Sequence, residues 1–298
     1  MPGPFSAALG KFARLAVGPV GGNTVDTALS FTGVNPGCVT EQVDTTADKA
    51  LGTRTHSLSG SVDNRKRVAP SLSLKPALAE WAAILPWVMG GTVSSTSYPL
   101  GDREATRYVA FDDTQRVFTM SDVAVGEAVF ACGSGGPLLL DLTCAGTDYT
   151  TATAFPTGLT VPAGPPFIFA DMAVKVGSTN NVNVRSARLS VNHFLDAERY
   201  FYGLVSAGAI ATDRAVTVDL EMPYGLHAAL WDAGAGAGGV QVRLTFTRGT
   251  KVLTLNMPTV RAMAPPPDTR VPAETFLPWS GMALSDTANA ELSCTLAG

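Results

Sequence analysis

Apolar and polar residues alternate with period two along VAPSLSL, residues 68–74, and again along VTVDLEM, residues 216–222, which predicts strands with one covered face. A helical spacing follows the first. In KPALAEWAAIL, Leu78, Trp81, Ala82 and Leu85 fall on one stripe, with Pro76 tolerated in the first turn. Pro86 is expected to end or kink this helix, and Gly90 with Gly91 to close it. A second helix, Tyr224 to Ala233, is weaker because Gly225 lies inside it. TRYVAFD, QRVFTM and LLLDLTC, and later VQVRLTFT, KVLTLNM and AELSCTL, read as hairpin-linked strands. The pattern predicts a mainly β chain: strands, one helix, more strands, twice over.

The recurrence extends to single residues. At a shift of 148, Val68, Leu72, Leu74, Leu78, Gly90 and Gly91 fall on Val216, Leu220, Met222, Leu226, Gly238 and Gly239, and Val43 and Asp48 on Val191 and Asp196. At 137, Phe118, Met120 and Val123 meet Leu255, Met257 and Val260. At 146, Phe130, Ser134 and Gly135 meet Phe276, Ser280 and Gly281; at 150, DLTC (141–144) meets ELSC (291–294). This predicts an N-terminal arm over 1–30, β-rich domains over 31–149 and 167–298, and between them an extended, proline-bearing linker over 150–166.

Composition narrows the class. The 298 residues carry 21 Lys plus Arg against 25 Asp plus Glu, a net charge of −4, which argues against a dedicated nucleic-acid binder. Charged residues are 15% of the chain, below the roughly 25% usual in soluble domains, while 46% are apolar. Such a surface is expected to be covered by neighbouring subunits. The apolar run Trp81–Met89 is too short to span a bilayer, and the proline-broken N-terminus lacks a signal-peptide pattern, so a soluble, cytoplasmically assembled protein is expected. Cys38, Cys132, Cys144 and Cys294 have no metal-ligand spacing and read as small buried apolar residues.

One stretch resembles catalytic machinery. Residues 133–138, GSGGPL, look like the nucleophile loop of trypsin-like serine proteases, with Ser134 at the nucleophile. Gly133 stands where that family has an aspartate, and His56, His193 and His227 all lack its context for the base. The pairing of Ser134 with Ser280 in PWSGM makes it a strand-connecting turn residue. GAGAGG (234–239) follows a helix and so fails as a phosphate loop. Trp81, Trp87, Trp231 and Trp279 sit where core or interface packing outweighs a sugar site. No catalytic, cofactor-binding or metal residue is expected, and the protein is not expected to be an enzyme.

GTRTHSLSG (52–60), the strand-to-helix segment 67–91 and its recurrence at 215–239 resemble the major tail tube proteins of long-tailed bacteriophages, in particular those with two tube domains in one chain. The second copy departs from the pattern in placing its proline at Pro223 rather than opposite Pro76. The resemblance implies tandem β-sandwich or barrel domains, each with one flanking helix, whose strands join edge to edge in a ring that stacks into a conduit for genome delivery. It implies a homotrimeric ring of pseudo-sixfold symmetry, a virion tail location, contacts with tape measure, terminator and distal tail proteins, and viral DNA in transit without specific binding or membrane contact. The other readings are a tail terminator or capsid-surface protein, or a secreted β-sandwich adhesin. Arg67 and Arg214, each at a strand entrance, are the expected subunit contacts, and lumen-facing positions are expected to be neutral or acidic.

Overall fold

Strands form where the alternation predicts them, except that VAPSLSL is broken at Ala69 and Pro70 between β5 and β6. The computed structural model describes residues 13–44, 61–102, 104–160, 162–180, 182–201, 203–223, 239–263, 276–285 and 290–298, with twenty strands and one α-helix among them. The first half holds β1 (Arg14–Val17), β2 (Thr27–Ala28), β3 (Phe31–Asn35), β4 (Cys38–Asp44), β5 (Ser61–Val68), β6 (Ser71–Leu74), helix α1 (Trp81–Met89), β7 (Ser97–Pro99), β8 (Thr106–Asp112), β9 (Val117–Gly133), β10 (Leu139–Ala145) and β11 (Asp148–Ala152). The second holds β12 (Met172–Val176), β13 (Ser186–Asn192), β14 (Leu195–Asp196), β15 (Ile210–Ala211), β16 (Ala215–Pro223), β17 (Val240–Arg248), β18 (Lys251–Ala262), β19 (Phe276–Ala283) and β20 (Ser293–Ala297).

The same pairing plan occurs twice. In the first half β8 lies between β1 and the start of β9, with β11 on the far side of β9; in the second, β17 lies between β12 and β18, with β20 beyond. Even the irregularities match: a bulge falls between Arg107 and Val109 in β8 and between Val240 and Val242 in β17. A second layer repeats as well. The order β3-β6-β10-β9 in the first half is followed by β13-β16-β19-β18 in the second, all antiparallel. Long strands β9 and β18 thus serve both layers; in β9 the partners change at Asp122, whose φ of 48° marks the bend.

Pairing corrects part of the repeat register. The shifts of 148 for Leu72 and Leu220 and of 137 for Phe118 and Leu255 agree with equivalent partners. The shifts of 146 and 150 do not. Strand β10 pairs with β6 as β19 pairs with β16, so Leu142 and Trp279 are counterparts, and β20 matches β11 rather than β10. Burial agrees: Phe130 is buried whereas Phe276 is 38% exposed. Val191 likewise corresponds to Cys38 rather than Val43, because Cys38 faces Val68 and Val191 faces Val216.

Helix α1 starts at Trp81, later than its sequence spacing predicts. Residues 77–80 form a turn in which the buried Glu80 carboxylate accepts from Ala77 N (2.9 Å), Ser30 N (2.9 Å) and Ser30 Oγ (2.7 Å). Pro86 lies inside the helix, which ends at Gly90 in the left-handed region, φ 68°. Ala82, predicted on the apolar stripe, is exposed, while Trp81, Ile84, Leu85, Trp87, Val88 and Met89 are all buried. The helix is therefore a core wedge. Trp87 Nε1 donates to Val123 O at 2.8 Å, and Trp81 stacks on Phe130 with centroids 6.0 Å apart. Phe167 touches both Trp81 and Phe246, so one hydrophobic core runs from the first half into the second. The second expected helix lies outside the described residues.

The flanking segments are built into the same body. Residues 13–30, within the expected arm, supply β1 and β2, and Phe155 of the expected linker is buried against Ala16, Ala110 and Val117.

Candidate assembly surface

The two halves meet by direct strand pairing. Strand β13 runs antiparallel to β9 over seven pairs, from Ser186 opposite Gly133 to Asn192 opposite Glu127. Alternation assigns the two faces. Ala187, Leu189 and Val191 are buried with Cys132, Phe130 and Ala128, whereas Ser186, Arg188, Ser190 and Asn192 point the other way, across from Gly133, Ala131, Val129 and Glu127. Ser190 Oγ lies 3.0 Å from Glu127 Oε1 on that outer face. Burying three apolar pairs on one side makes the register specific, since a one-residue slip would turn all of them outward.

Eight strands therefore form one antiparallel layer, β3-β6-β10-β9-β13-β16-β19-β18, whose outermost strands among the described residues are β3 and β18. Among the described strands β3 pairs with β6, and Ala262 of β18 pairs with β19. Open strand edges promote association unless another strand covers them.

The face turned from the core is polar on β6, β10, β13 and β16 and more apolar on β9 and β19, where Val129, Ala131, Phe276, Pro278 and Met282 point outward. Along β16, Val216, Val218, Leu220 and Met222 are buried while Thr217, Asp219 and Glu221 are not; along β10, Asp141 and Thr143 are exposed between buried Leu140, Leu142 and Cys144. The outward acids of the layer are Glu127, Asp141, Asp219 and Glu221; its outward arginines are Arg188, directly opposite Asp219, and Arg261, opposite Met282. Most other outward positions of β6, β10 and β13 are Ser, Thr or Asn. None of these residues was singled out from the sequence, although their alternation with the buried ones was the signal that carries them.

Ser134 sits in a turn, as expected. Gly136 N donates to Gly133 O at 3.0 Å, and Gly135 has φ 77°, a conformation suited to glycine. Its supposed twin does not. Ser280 lies inside β19 opposite Asp219, so the turn stands on its own hydrogen bonds and not on the repeat. His193 is buried with Nε2 3.1 Å from Val88 O, and burial lowers its pKa; His56 and His227 lie outside the described residues. Cys132, Cys144 and Cys294 are buried and Cys38 half-buried; none is in a disulfide, and burial pushes the Cys132 thiol up to about 11 and that of Cys38 to about 12.

The two arginines expected at contacts differ. Arg214 is at the joint between the halves, where Nη2 donates to Glu291 Oε2 at 2.7 Å and Nη1 to Gly101 O at 2.9 Å. Arg67 is exposed within β5, not at a strand entrance, and lines a cleft of about 400 Å³ together with Glu127, Asp196, Glu198 and Tyr200. Strand β5 touches residues 198–200 nearby, through Arg65 to Glu198 (2.5 Å) and Tyr200 Oη to Lys66 O (2.7 Å).

Among the described residues the layer has a head-to-tail internal joint, and its outermost strands β3 and β18 each have one strand neighbour within it at their ends. No curated protein matches the chain. A family model of phage tail tube proteins matches residues 10–290. The chain is a member of the phage tail tube protein family, a structural protein of the virion tail.

Proposed function

We propose that the protein is the major tail tube subunit: three chains close a ring of pseudo-sixfold symmetry, and stacked rings form the conduit for genome delivery. The observation that carries this reading is the head-to-tail order of the eight-strand layer, in which the last strand of the first four, β9, pairs with the first strand of the second four, β13. Repeating that step between chains brings β18 of one chain to β3 of the next. The contact is heterologous, so it must either close into a ring or run on without end. Three chains would supply twenty-four strands in one closed barrel with no edge left open.

The proposed units are tube domains over 31–149 and 167–298 joined by 150–166, with residues 13–30 lending the first domain an edge strand. The outward face becomes the lumen wall. Among the described residues of this face, four acids stand against the strand arginines Arg188 and Arg261 and against Arg185 beside Glu221, a balance that disfavours tight phosphate binding, so DNA would pass without being held. Assembly in the host cytoplasm and contacts with tape measure, terminator and distal tail proteins belong to the same reading. Arg67, exposed on β5 opposite Val39, is proposed as a contact between chains. Native mass measurement of the assembled protein tests the stoichiometry: ring species at multiples of three times 30.9 kDa support it, and a stable monomer at every concentration overturns it.

A further inference from the structure

The two halves are not equivalent in how they are held. Fifteen residues, 92–106, stand between Gly91 and Arg107 of the first half, whereas Gly239 is followed at once by Val240, the counterpart of Arg107 at the matching bulge. The extra segment crosses to the second half. Its strand β7 pairs with the outer edge of β20, placing Ser97, Tyr98 and Pro99 opposite Thr295, Cys294 and Ser293, and Leu296 N donates to Thr96 O at 2.9 Å. Tyr98 and Leu100 are buried by this crossing. Its far end is pinned by Arg214, which bonds Gly101 O and Glu291 together, and by Glu104, whose carboxylate accepts from Ala211 N. The return is tight: a Cβ on Gly91 would meet Pro99 O at 2.2 Å, and one on Gly101 would meet Gly90 O at 2.6 Å.

The edge that this segment covers has a counterpart with no such cover among the described residues. Phe118 of β9 faces Thr151 of β11 as Leu255 of β18 faces Cys294 of β20, so β11 occupies in the first half the place of β20 in the second. Yet Thr150, Thr151 and Ala152 are exposed, and among the described strands β11 pairs with β9 alone.

We infer that residues 92–106 are a clasp that locks the two halves of one chain together, and that the described residues of the second half hold no such clasp to offer the β11 edge of a neighbouring chain. In the ring proposed above, which this consequence rests on, the six joints would be of two strengths. The three within chains are clasped and the three between chains are not, so a ring whose chains are cut between the halves would still come apart into paired halves.

The test cuts the chain while leaving the joint. A protease site replacing the exposed Thr157–Gly158 is cleaved in the purified full-length protein, and the masses present are followed on dilution. Cleaved wild-type halves should stay together at dilutions where ring species have already fallen to single-chain mass. With Tyr98→Ala and Arg214→Ala combined, the halves should part at protein concentrations about tenfold higher or more. Should that variant not fold when uncleaved, Arg214→Gln alone carries the same comparison with a smaller shift. Halves that separate at the dilution where chains separate, or variants that hold as tightly as the wild type, would overturn the clasp. The halves can be weighed whether or not rings form, so a failed ring would leave this result readable.

Discussion

Asp141→Lys asks whether the outward face is a DNA passage. Asp141 lies on β10 between Ser73 and Val129, exposed, with its Oδ1 accepting from Ser73 Oγ at 2.7 Å. Because the carboxylate faces away from the core, lysine should leave the fold intact. In a ring of three chains the change adds three cations and removes three anions. The seven-residue ladder from Ser186 to Asn192 spans about 23 Å at ~3.3 Å per residue, a length over which duplex DNA carries about 14 phosphate charges. Three lysines each meeting one phosphate give a salt slope of about −2.7, so retention should weaken about fortyfold between roughly 50 and 200 mM salt. Assembled tubes would be incubated with short duplex DNA and the bound fraction read after sedimentation across that salt range. Wild-type tubes should retain little DNA throughout, and the variant should retain DNA at low salt and release it along this slope. Variant tubes that bind no DNA, or wild-type tubes that bind it as tightly, would refute the assignment of this face to the lumen.

Further outcomes follow from particular residues. Burial raises the Glu80 pKa above its usual 4.5 despite three donors; the native state then keeps its proton where the unfolded chain has lost it, so this group's contribution to stability falls as pH rises through that window. Glu80→Gln, which turns an amide N–H₂ towards Ala77 N, should cost about 1–3 kcal/mol at low pH, with the gap to wild type narrowing towards neutrality in denaturant titrations; a gap that widens contradicts the assignment. Ser134→Ala should leave stability and assembly unchanged and the wild-type serine unlabelled by a fluorophosphonate probe, since the turn is held by backbone groups. Arg67→Glu should weaken ring formation without altering the circular dichroism of the single chain, and unchanged assembly would remove Arg67 from the interface.

Much of the fold was legible because the strands obey the simplest rule. VTVDLEM buries every second residue as its alternation requires, and so does the stretch of β10 around Asp141. The helix was harder. Its apolar residues surround it on most sides because both halves pack on it, so the stripe through Ala82 had no meaning, and Glu80 delays the start by binding the residues that should have formed the first turn. The repeat was found where partners and spacing agree and misplaced where short patterns coincide. DLTC and ELSC look alike because each presents a leucine and a cysteine to the core, yet they stand on β10 and next to β20, strands with different neighbours. Side-chain pattern cannot distinguish them; pairing can. The head-to-tail joint is a contact between residues 127–133 and 186–192, and no local signal links them.

Electron microscopy of the purified, assembled protein tests the ring most directly. Class averages viewed down the tube axis should show closed rings with six similar lobes that obey threefold, not sixfold, symmetry once the clasped and unclasped joints are resolved. Open filaments, rings of another lobe number, or isolated chains at every concentration would contradict closure through β18 and β3.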